Sequence, residues 1–400
     1  MVLKNKGYVF RDLITIYGKI RYRRTMLAPV DAESAAALAC IQKAKYVCPL
    51  DCILKVDNLP FKITVKMMAA IAKEAVRSTS YERAAATILE HYKVNINTAT
   101  VRLVTDYVGT VVYNDDKRRA TEAEENLKVP FDRRRKRRRR FDDTLFIEMD
   151  GAMVNTRVTL DGTSWTECKV GLAFHSKDRH VWRNASGDIR SRILKKRIVG
   201  YIGNCDVFKY HLLAIARDYS YQQCSQIVVI SDGATWIQRI VEELFPEAIH
   251  ILDLFHVKEH VHEFGKCVIH DDEQAAEWID QINTMIEESK TDQVLDTLEQ
   301  YKDFKCPANV SNLYTYIYNH KDCMDYKKYK ELNLYVGSGA IESANKYTMQ
   351  NRMKLQGMRW NPETAQGVLS LKARLESDRW HEVESLLQEH FDDPKLVNGI

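Results

Sequence analysis

The sequence predicts an α/β fold in which a mixed β-sheet carries an all-helical insertion and follows a β-hairpin and a helical N-terminal region. Three observations predict it. Residues 8–27 alternate apolar and polar around Gly18, which is typical of a hairpin. A continuous apolar run, 227–230, lies among alternating strands and amphipathic helices. Residues 256–334 keep a helical period throughout. At 400 residues, we expect roughly two to four structural units.

The N-terminal helical region has a helix-turn-helix shape. A helix is predicted after the cap-like Ser80, and a second, short one at 98–108, with turn residues between them. The second helix of such a unit enters the major groove of DNA, so its exposed polar residues are candidate contacts. These candidates are Thr98, Thr100, Arg102 and Thr105. The alternative is ordinary packing of two short helices.

Positive charge is concentrated in one segment. The net charge is +4, yet eight adjacent cations follow Asp132, so the rest of the chain is acidic. Like charges repel in a compact fold, which predicts an exposed connector that binds a polyanion such as nucleic-acid phosphate. The alternative is a solvated linker. The residues are Arg133, Arg134, Arg135, Lys136, Arg137, Arg138, Arg139 and Arg140.

Composition excludes several classes of protein. Hydrophobic residues make up 45% and charged residues 28% of the chain, which argues against a disordered or fibrous protein. No apolar stretch is long enough for a membrane span, and the N-terminus lacks a signal-peptide block, so we expect a cytoplasmic protein without a membrane partner. Nine cysteines without a C-x-x-C pair argue against a disulfide framework or a zinc ribbon.

The strands after residue 143 predict the class of the main domain. An apolar segment and a hairpin centred on Asp161-Gly162 give antiparallel strands, and a helix, a buried parallel strand, a helix and a last strand follow. This order is that of a ribonuclease H-like domain. The predicted strands cover residues 145–149, 153–160, 165–174, 198–202, 226–230 and 248–252.

These patterns predict seven segments. We expect a β-hairpin region (1–50), a helix-turn-helix-like DNA-binding region (51–113), a charged linker or exposed helix (114–143), the first part of the core (144–260), a helical insertion (261–333), the final core helix (334–380) and a C-terminal tail (381–400).

Three carboxylates are candidate metal ligands. Asp150 follows the first predicted core strand and Asp232 the buried parallel strand; in this topology the two strands are neighbours. Glu342 lies one turn into the final helix. Clustered hard oxygen ligands suit two Mg²⁺ or Mn²⁺ ions, which can drive phosphodiester cleavage and strand transfer. The alternatives are Asp-Gly turns and a surface Glu342 paired with Lys346.

The final helix also carries cations that could follow a DNA backbone. They are Lys346, Arg352, Lys354 and Arg359. The alternative is a solvated helix face.

Three blocks carry a family resemblance: SDGATWI, DLFH and GSGAIESANKYTMQNRMKLQGMRW. They resemble bacterial insertion-sequence transposases of the Lre-two-type group, long catalogued as an uncharacterised protein family, with kinship to Mutator-like transposases. The similarity runs from Tyr8 to Trp380. It implies a DDE triad at Asp150, Asp232 and Glu342. His256 fits the family's Cys-or-Asp, two residues, His element, as a DNA or metal-water contact or as a structural hydrogen-bonder.

The resemblance implies a transposase that binds terminal inverted repeats and target DNA, as a homo-oligomer on DNA. Two other functions stay open at this point. One is a catalytically inactive DNA-binding protein derived from a transposase, and the other is a ribonuclease H-like nuclease that cuts without joining.

Overall fold

The computed structural model describes residues 2–42, 45–128, 141–157, 164–187, 189–307 and 310–392. The basic run 133–140 and the predicted Asp161-Gly162 turn lie outside these residues. The chain divides into two compact units. The terminal unit comprises Met1–Lys117 and Met349–Ile400, and the central unit comprises Arg118–Thr348.

The terminal unit begins with the predicted hairpin. Strand β1 (Leu3–Thr15) pairs antiparallel with β2 (Gly18–Pro29). Gly18 has a φ of +111°, a backbone conformation that glycine adopts without the steric cost of a side chain. Helices then follow in the order α1 (Ala32–Gln42), α2 (Pro49–Ile53), α3 (Val65–Arg77), α4 (Tyr81–Tyr92) and α5 (Thr98–Lys128).

Helix α5 is longer than expected. It has 31 residues and continues through much of the segment predicted as a linker or exposed helix. Its first half buries Val101, Val104 and Val108, as the periodicity predicted. Thr105 was expected to be exposed, and this is wrong: the residue is fully buried and its hydroxyl donates to the carbonyl of Val101 at 2.7 Å.

The central unit contains a five-stranded mixed sheet in the order β7-β4-β3-β8-β9. Neighbours β3, β4 and β7 are antiparallel, whereas β8 runs parallel to β3 and β9 parallel to β8. A separate pair, β5 and β6, was not predicted. The strands are β3 (Phe141–Asn155), β4 (Trp165–His175), β5 (Arg179–Arg183), β6 (Ile189–Ile193), β7 (Arg197–Ile202), β8 (Cys224–Ser231) and β9 (Ile249–Leu252).

Strand β3 corrects the predicted strand limits. The sequence suggested one strand ending at Asp150 and another starting at Met153, but β3 is continuous. It pairs with β4 from Leu145, opposite His175, to Asn155, opposite Trp165. Because the neighbouring strand satisfies this backbone, the Asp-Gly step does not turn the chain, and Asp150 lies within the strand.

Helices cover the sheet and form the insertion. The central unit contains α6 (Cys205–Asp218), α7 (Thr235–Leu244), α8 (Leu254–Val268), α9 (Asp272–Glu287), α10 (Thr291–Leu298), α11 (Leu313–His320), α12 (Tyr326–Glu331) and α13 (Gly339–Asn345). The chain ends with α14 (Asn351–Met353), α15 (Pro362–Glu376) and α16 (Trp380–Asp392) of the terminal unit. No described helix combines the length and the apolar character that a bilayer-spanning segment requires.

Alternate residues of β3 face opposite sides of the sheet, because side chains in a strand alternate. Met149 packs in an apolar cluster with Leu212 of α6 and Ile237 of α7. Glu148 and Asp150 face the other side, where both contact α13. The strand therefore separates an apolar face from an acidic one.

Candidate active site

Strands β3 and β8 bring Asp150 and Asp232 to the same level. In their parallel register Glu148 lies opposite Ile230. Asp150 and Asp232 are each two residues further along, at the point where β8 ends. Both side chains are half-buried. Their juxtaposition follows from strand pairing that is held by backbone hydrogen bonds.

Asp150 is held by two hydrogen bonds. Its Oδ1 accepts from the amide of Gly151 at 2.6 Å, and its Oδ2 accepts from the side-chain amide of Asn345. Burial raises the pKa of the Asp150 carboxyl, and the negative charges of Asp232 and Glu342 raise it further. Asp232 and Glu342 are thus close enough for their charges to act on the Asp150 carboxyl.

Glu342 extends from α13 into a short polar chain. The hydroxyl of Ser338 lies 2.9 Å from Glu342 Oε1 and also contacts Asp253 Oδ2. A hydroxyl has one proton to donate, so it satisfies one of these two carboxylates at a time. Asp253 is buried and caps α8, where its Oδ1 accepts from the amide of Phe255 at 2.8 Å. The buried Asp253 and the exposed Glu342 therefore compete for one donor.

Glu148 is a further acid at this site, and the sequence analysis missed it. It is fully buried, and burial raises its pKa to about 8. Its Oε2 accepts from the amide of Ile341 at 2.9 Å, whereas Oε1 has no partner among the described residues. The available signal was its position two residues before Asp150, which places both on one strand face.

Asn345 was also missed. It is buried, and its Oδ1 has no hydrogen-bond partner among the described residues while its amide holds Asp150. The available signal was its place three residues after Glu342 on a helix, since residues three apart share a helix face. Helix α13 thus presents Glu342 and Asn345 together toward β3.

Helix α11 of the insertion fixes the loop that carries Asp232. The hydroxyl of Tyr316 donates to the Asp232 carbonyl at 3.1 Å, and His320 Nε2 donates to the Gly233 carbonyl at 2.9 Å. His320 Nδ1 lies 2.7 Å from the carbonyl of Tyr316. Helix α11 therefore contacts the backbone of two successive residues of the loop, Asp232 and Gly233.

The close approach of His320 to the loop requires glycine at position 233. The φ of Gly233 is +92°, and a Cβ there would lie 2.9 Å from both His320 Nε2 and Leu252 Cδ1. Any side chain at this position would strain the backbone and would clash with the packed neighbours. The SDG sequence therefore fits a tight loop between β8 and α7, pinned by the insertion.

The histidines of α8 lie near this loop. His256 Nδ1 is 3.4 Å from Glu259 Oε2, and its ring centroid is 4.7 Å from that of His260. His260 is half-buried, and its ring centroid lies 4.3 Å from that of Tyr316. The role of His256 stays a prediction, since its two contacts are on its own helix.

The described residues include no group of three His, Cys, Asp or Glu side chains placed to hold one metal ion. Protein donors instead contact two of these acids, Asn345 at Asp150 and Ser338 at Glu342. Asp232 Oδ1 likewise accepts from the amide of Ala234 at 2.9 Å. The site gathers acids without closing them around a common centre.

One comparison with known proteins identifies the family. A family profile matches residues 2–390, nearly the whole chain. The chain belongs to the Uncharacterised protein family (UPF0236). That description states no activity. No curated protein matches the sequence.

The predicted DNA contacts of this UPF0236 member differ in exposure. Lys346, Lys354 and Arg359 are exposed, and so is Arg102, whose guanidinium lies 4.0 Å from Asp106. The basic run 133–140 lies outside the described residues.

Arg352 was expected to follow a DNA backbone, and this is wrong. It is buried, its Nε donates to the Ala75 carbonyl at 3.1 Å, and its guanidinium lies over the rings of Tyr81 and Trp360. A guanidinium is suited to such stacking, so Arg352 holds the terminal unit together.

Proposed function

We propose that this UPF0236 protein is a DDE transposase that cuts and joins DNA strands at the ends of an insertion sequence. The observation that carries the proposal is the register of β3 and β8, which sets Asp150 level with Asp232 on neighbouring parallel strands. Helix α13 adds Glu342 and contacts Asp150 through Asn345. The order and directions of the five strands agree with a ribonuclease H-like core.

The donor set suits Mg²⁺ or Mn²⁺, which prefer hard carboxylate oxygens. Asp150, Asp232 and Glu342 would hold the ions, and positive charge there would offset the burial and the carboxylate repulsion that raise the pKa of Asp150. When bound, two such ions activate an attacking water or 3′-hydroxyl and stabilise the leaving oxygen. This accounts for cleavage and joining by one site.

The protein's own groups orient the acids. Asn345 fixes one oxygen of Asp150, Ser338 contacts Glu342, and Tyr316 and His320 hold the backbone of the Asp232 loop. Such positioning favours in-line attack, because reacting groups held in register avoid the entropy cost of assembly. The partners we propose are terminal-repeat and target DNA, bound by a homo-oligomer in the bacterial cytoplasm.

A cleavage and joining assay tests the proposal. Purified full-length protein is incubated with a labelled duplex carrying the DNA that flanks its gene, with Mg²⁺, Mn²⁺ or EDTA. We expect nicked and joined products with either metal only, and a loss of at least about a hundredfold in Asp150→Asn, Asp232→Asn and Glu342→Gln, because each removes a ligand charge. DNA binding should persist in all three.

Matched controls are Asp272→Asn and Glu273→Gln, exposed acids at the start of α9; both should cleave normally. Full activity in any of the three site variants would refute the triad. Binding without cleavage by the native protein would favour an inactive DNA-binding protein, and cleavage without joining would favour a nuclease.

A further inference from the structure

The N-terminal hairpin presents an unusual outer face. On β1, Tyr8 is 61% and Phe10 66% exposed. In the antiparallel register Phe10 lies opposite Arg23, and Asp12 lies opposite Arg21. Large aromatic side chains usually bury most of their surface, so two on one open strand face suggest a binding surface.

The inner face anchors the hairpin. Leu13 is buried, and Asp51 of α2 accepts hydrogen bonds of 2.7 Å from both Arg11 and the hydroxyl of Tyr22. Arg24 also contacts Asp51. The outer face is therefore held on the terminal unit as a fixed platform.

The outer face is also basic. Lys19, Arg21 and Arg23 are exposed, and Asp12 is the one carboxylate in β1 and β2. Asp12 is shared between Arg21 Nε at 2.6 Å and Lys19 Nζ at 3.1 Å, so it neutralises one of these charges. The Arg23 guanidinium lies 4.5 Å from the centroid of the Tyr8 ring, an interleaving of cation and aromatic ring.

We propose that this outer face, formed by Tyr8, Phe10, Lys19, Arg21 and Arg23, binds single-stranded DNA. The rings stack on unpaired bases while the cations contact phosphates, the combination by which single strands are bound without sequence preference. A duplex keeps its base faces inside its own stack, so exposed rings have no equivalent partner there. The proposal rests on the proposed function for the choice of DNA, because strand cutting exposes unpaired nucleotides.

Fluorescence anisotropy tests it, with the full-length protein, EDTA, and a labelled 20-nucleotide oligothymidylate or a duplex of equal length as probe. We expect Tyr8→Ala/Phe10→Ala to weaken binding to the single strand about tenfold or more and to the duplex less than about twofold. Tyr8→Phe keeps the ring and should bind normally, whereas Phe10→Leu should lose affinity. Arg21→Ala and Arg23→Ala should each lower the slope of log affinity against log salt by about 0.7.

Controls of matched exposure are Tyr318→Ala and Arg239→Ala, at 53% and 61%, and both should bind as the native protein does. Equal losses for single strand and duplex, no loss in the double variant, or an altered oligomeric state with unchanged binding would each overturn the proposal. Because EDTA prevents metal-dependent cleavage, this result is independent of the triad test.

Discussion

At the scale of the residue, Glu148 shows how burial changes an acid. Its carboxyl is enclosed beside α13, where the charges of Asp253 and Glu342 add to the cost of ionisation. The amide of Ile341 lowers its pKa through a hydrogen bond, and the positive charge of Lys196 also lowers it. The neutral form is therefore favoured below pH about 8, although Glu ionises near 4.5 in an unfolded chain.

This shift predicts a pH dependence of stability. Between the unfolded value and about 8 the folded protein keeps a proton that the unfolded chain releases, so rising pH stabilises the unfolded state. Glu148→Gln keeps the shape of the neutral acid and removes the titration. We expect the native protein to lose up to about 1.4 kcal/mol per pH unit relative to this variant across that window, with no further change above pH 8.

The measurement is the free energy of unfolding by urea at pH 5 to 9 in EDTA, so that no cation contributes. Glu273→Gln, exposed on α9, should follow the native profile throughout. A constant difference between native protein and Glu148→Gln over the whole range would contradict the raised pKa.

At the scale of the element, patterns within one segment were predictable and contacts between segments were not. The hairpin around Gly18 and the apolar β8 follow from residue alternation and from a continuous buried run. The continuity of β3 was missed because pairing with β4 overrides the local turn preference of Asp-Gly. Arg352 was misplaced because charge in sequence suggests solvent, whereas Ala75 and Tyr81, both distant in sequence, contact it together with Trp360.

The residues of the candidate site also divide into those that the sequence could predict and those that it could not. Asp150, Asp232 and Glu342 could be chosen from strand ends and a family resemblance. Asn345 could have been found from its helical spacing. His320 could not, because it reaches Gly233 from a helix of the insertion, and no periodicity in the sequence encodes that contact.

The loop between β8 and α7 allows a controlled test of that contact. In Gly233→Ala the new Cβ lies 2.9 Å from two atoms, and the backbone φ is +92°. In Gly187→Ala the φ is similar, +84°, but no heavy atom lies within 4 Å of the new Cβ. We expect Gly187→Ala to cost about 1 kcal/mol of stability through backbone strain, and Gly233→Ala about 3 kcal/mol because overpacking is added. Thermal and urea denaturation measure both.

Adding His320→Ala removes one of the two clashing groups. The double variant Gly233→Ala/His320→Ala should therefore be less destabilised than the sum of the single variants, since the residues are in contact. Strict additivity, or equal costs for the two glycine variants, would show that α11 does not constrain the Asp232 loop.

At the scale of the whole molecule, charge is distributed very unevenly. The chain carries a net charge of +4, but the run 133–140 holds eight adjacent cations. We propose that the basic run and the exposed cations of the hairpin attract DNA, whereas the acids of the candidate site carry the chemistry.

Replacing all eight residues from Arg133 to Arg140 by Gln tests the contribution of the run to DNA binding. Each phosphate contact on duplex DNA contributes about 0.9 to the slope of log affinity against log salt, so the slope should fall by up to about seven. Duplex affinity at low salt should fall steeply, while the melting temperature should change little because like charges do not stabilise one another. Titrations at several salt concentrations measure the slope. An unchanged slope would mean that the run does not contact phosphate, and attraction would then have to come from cations such as Arg102 and Lys346, whose single replacements should each lower the slope by about one.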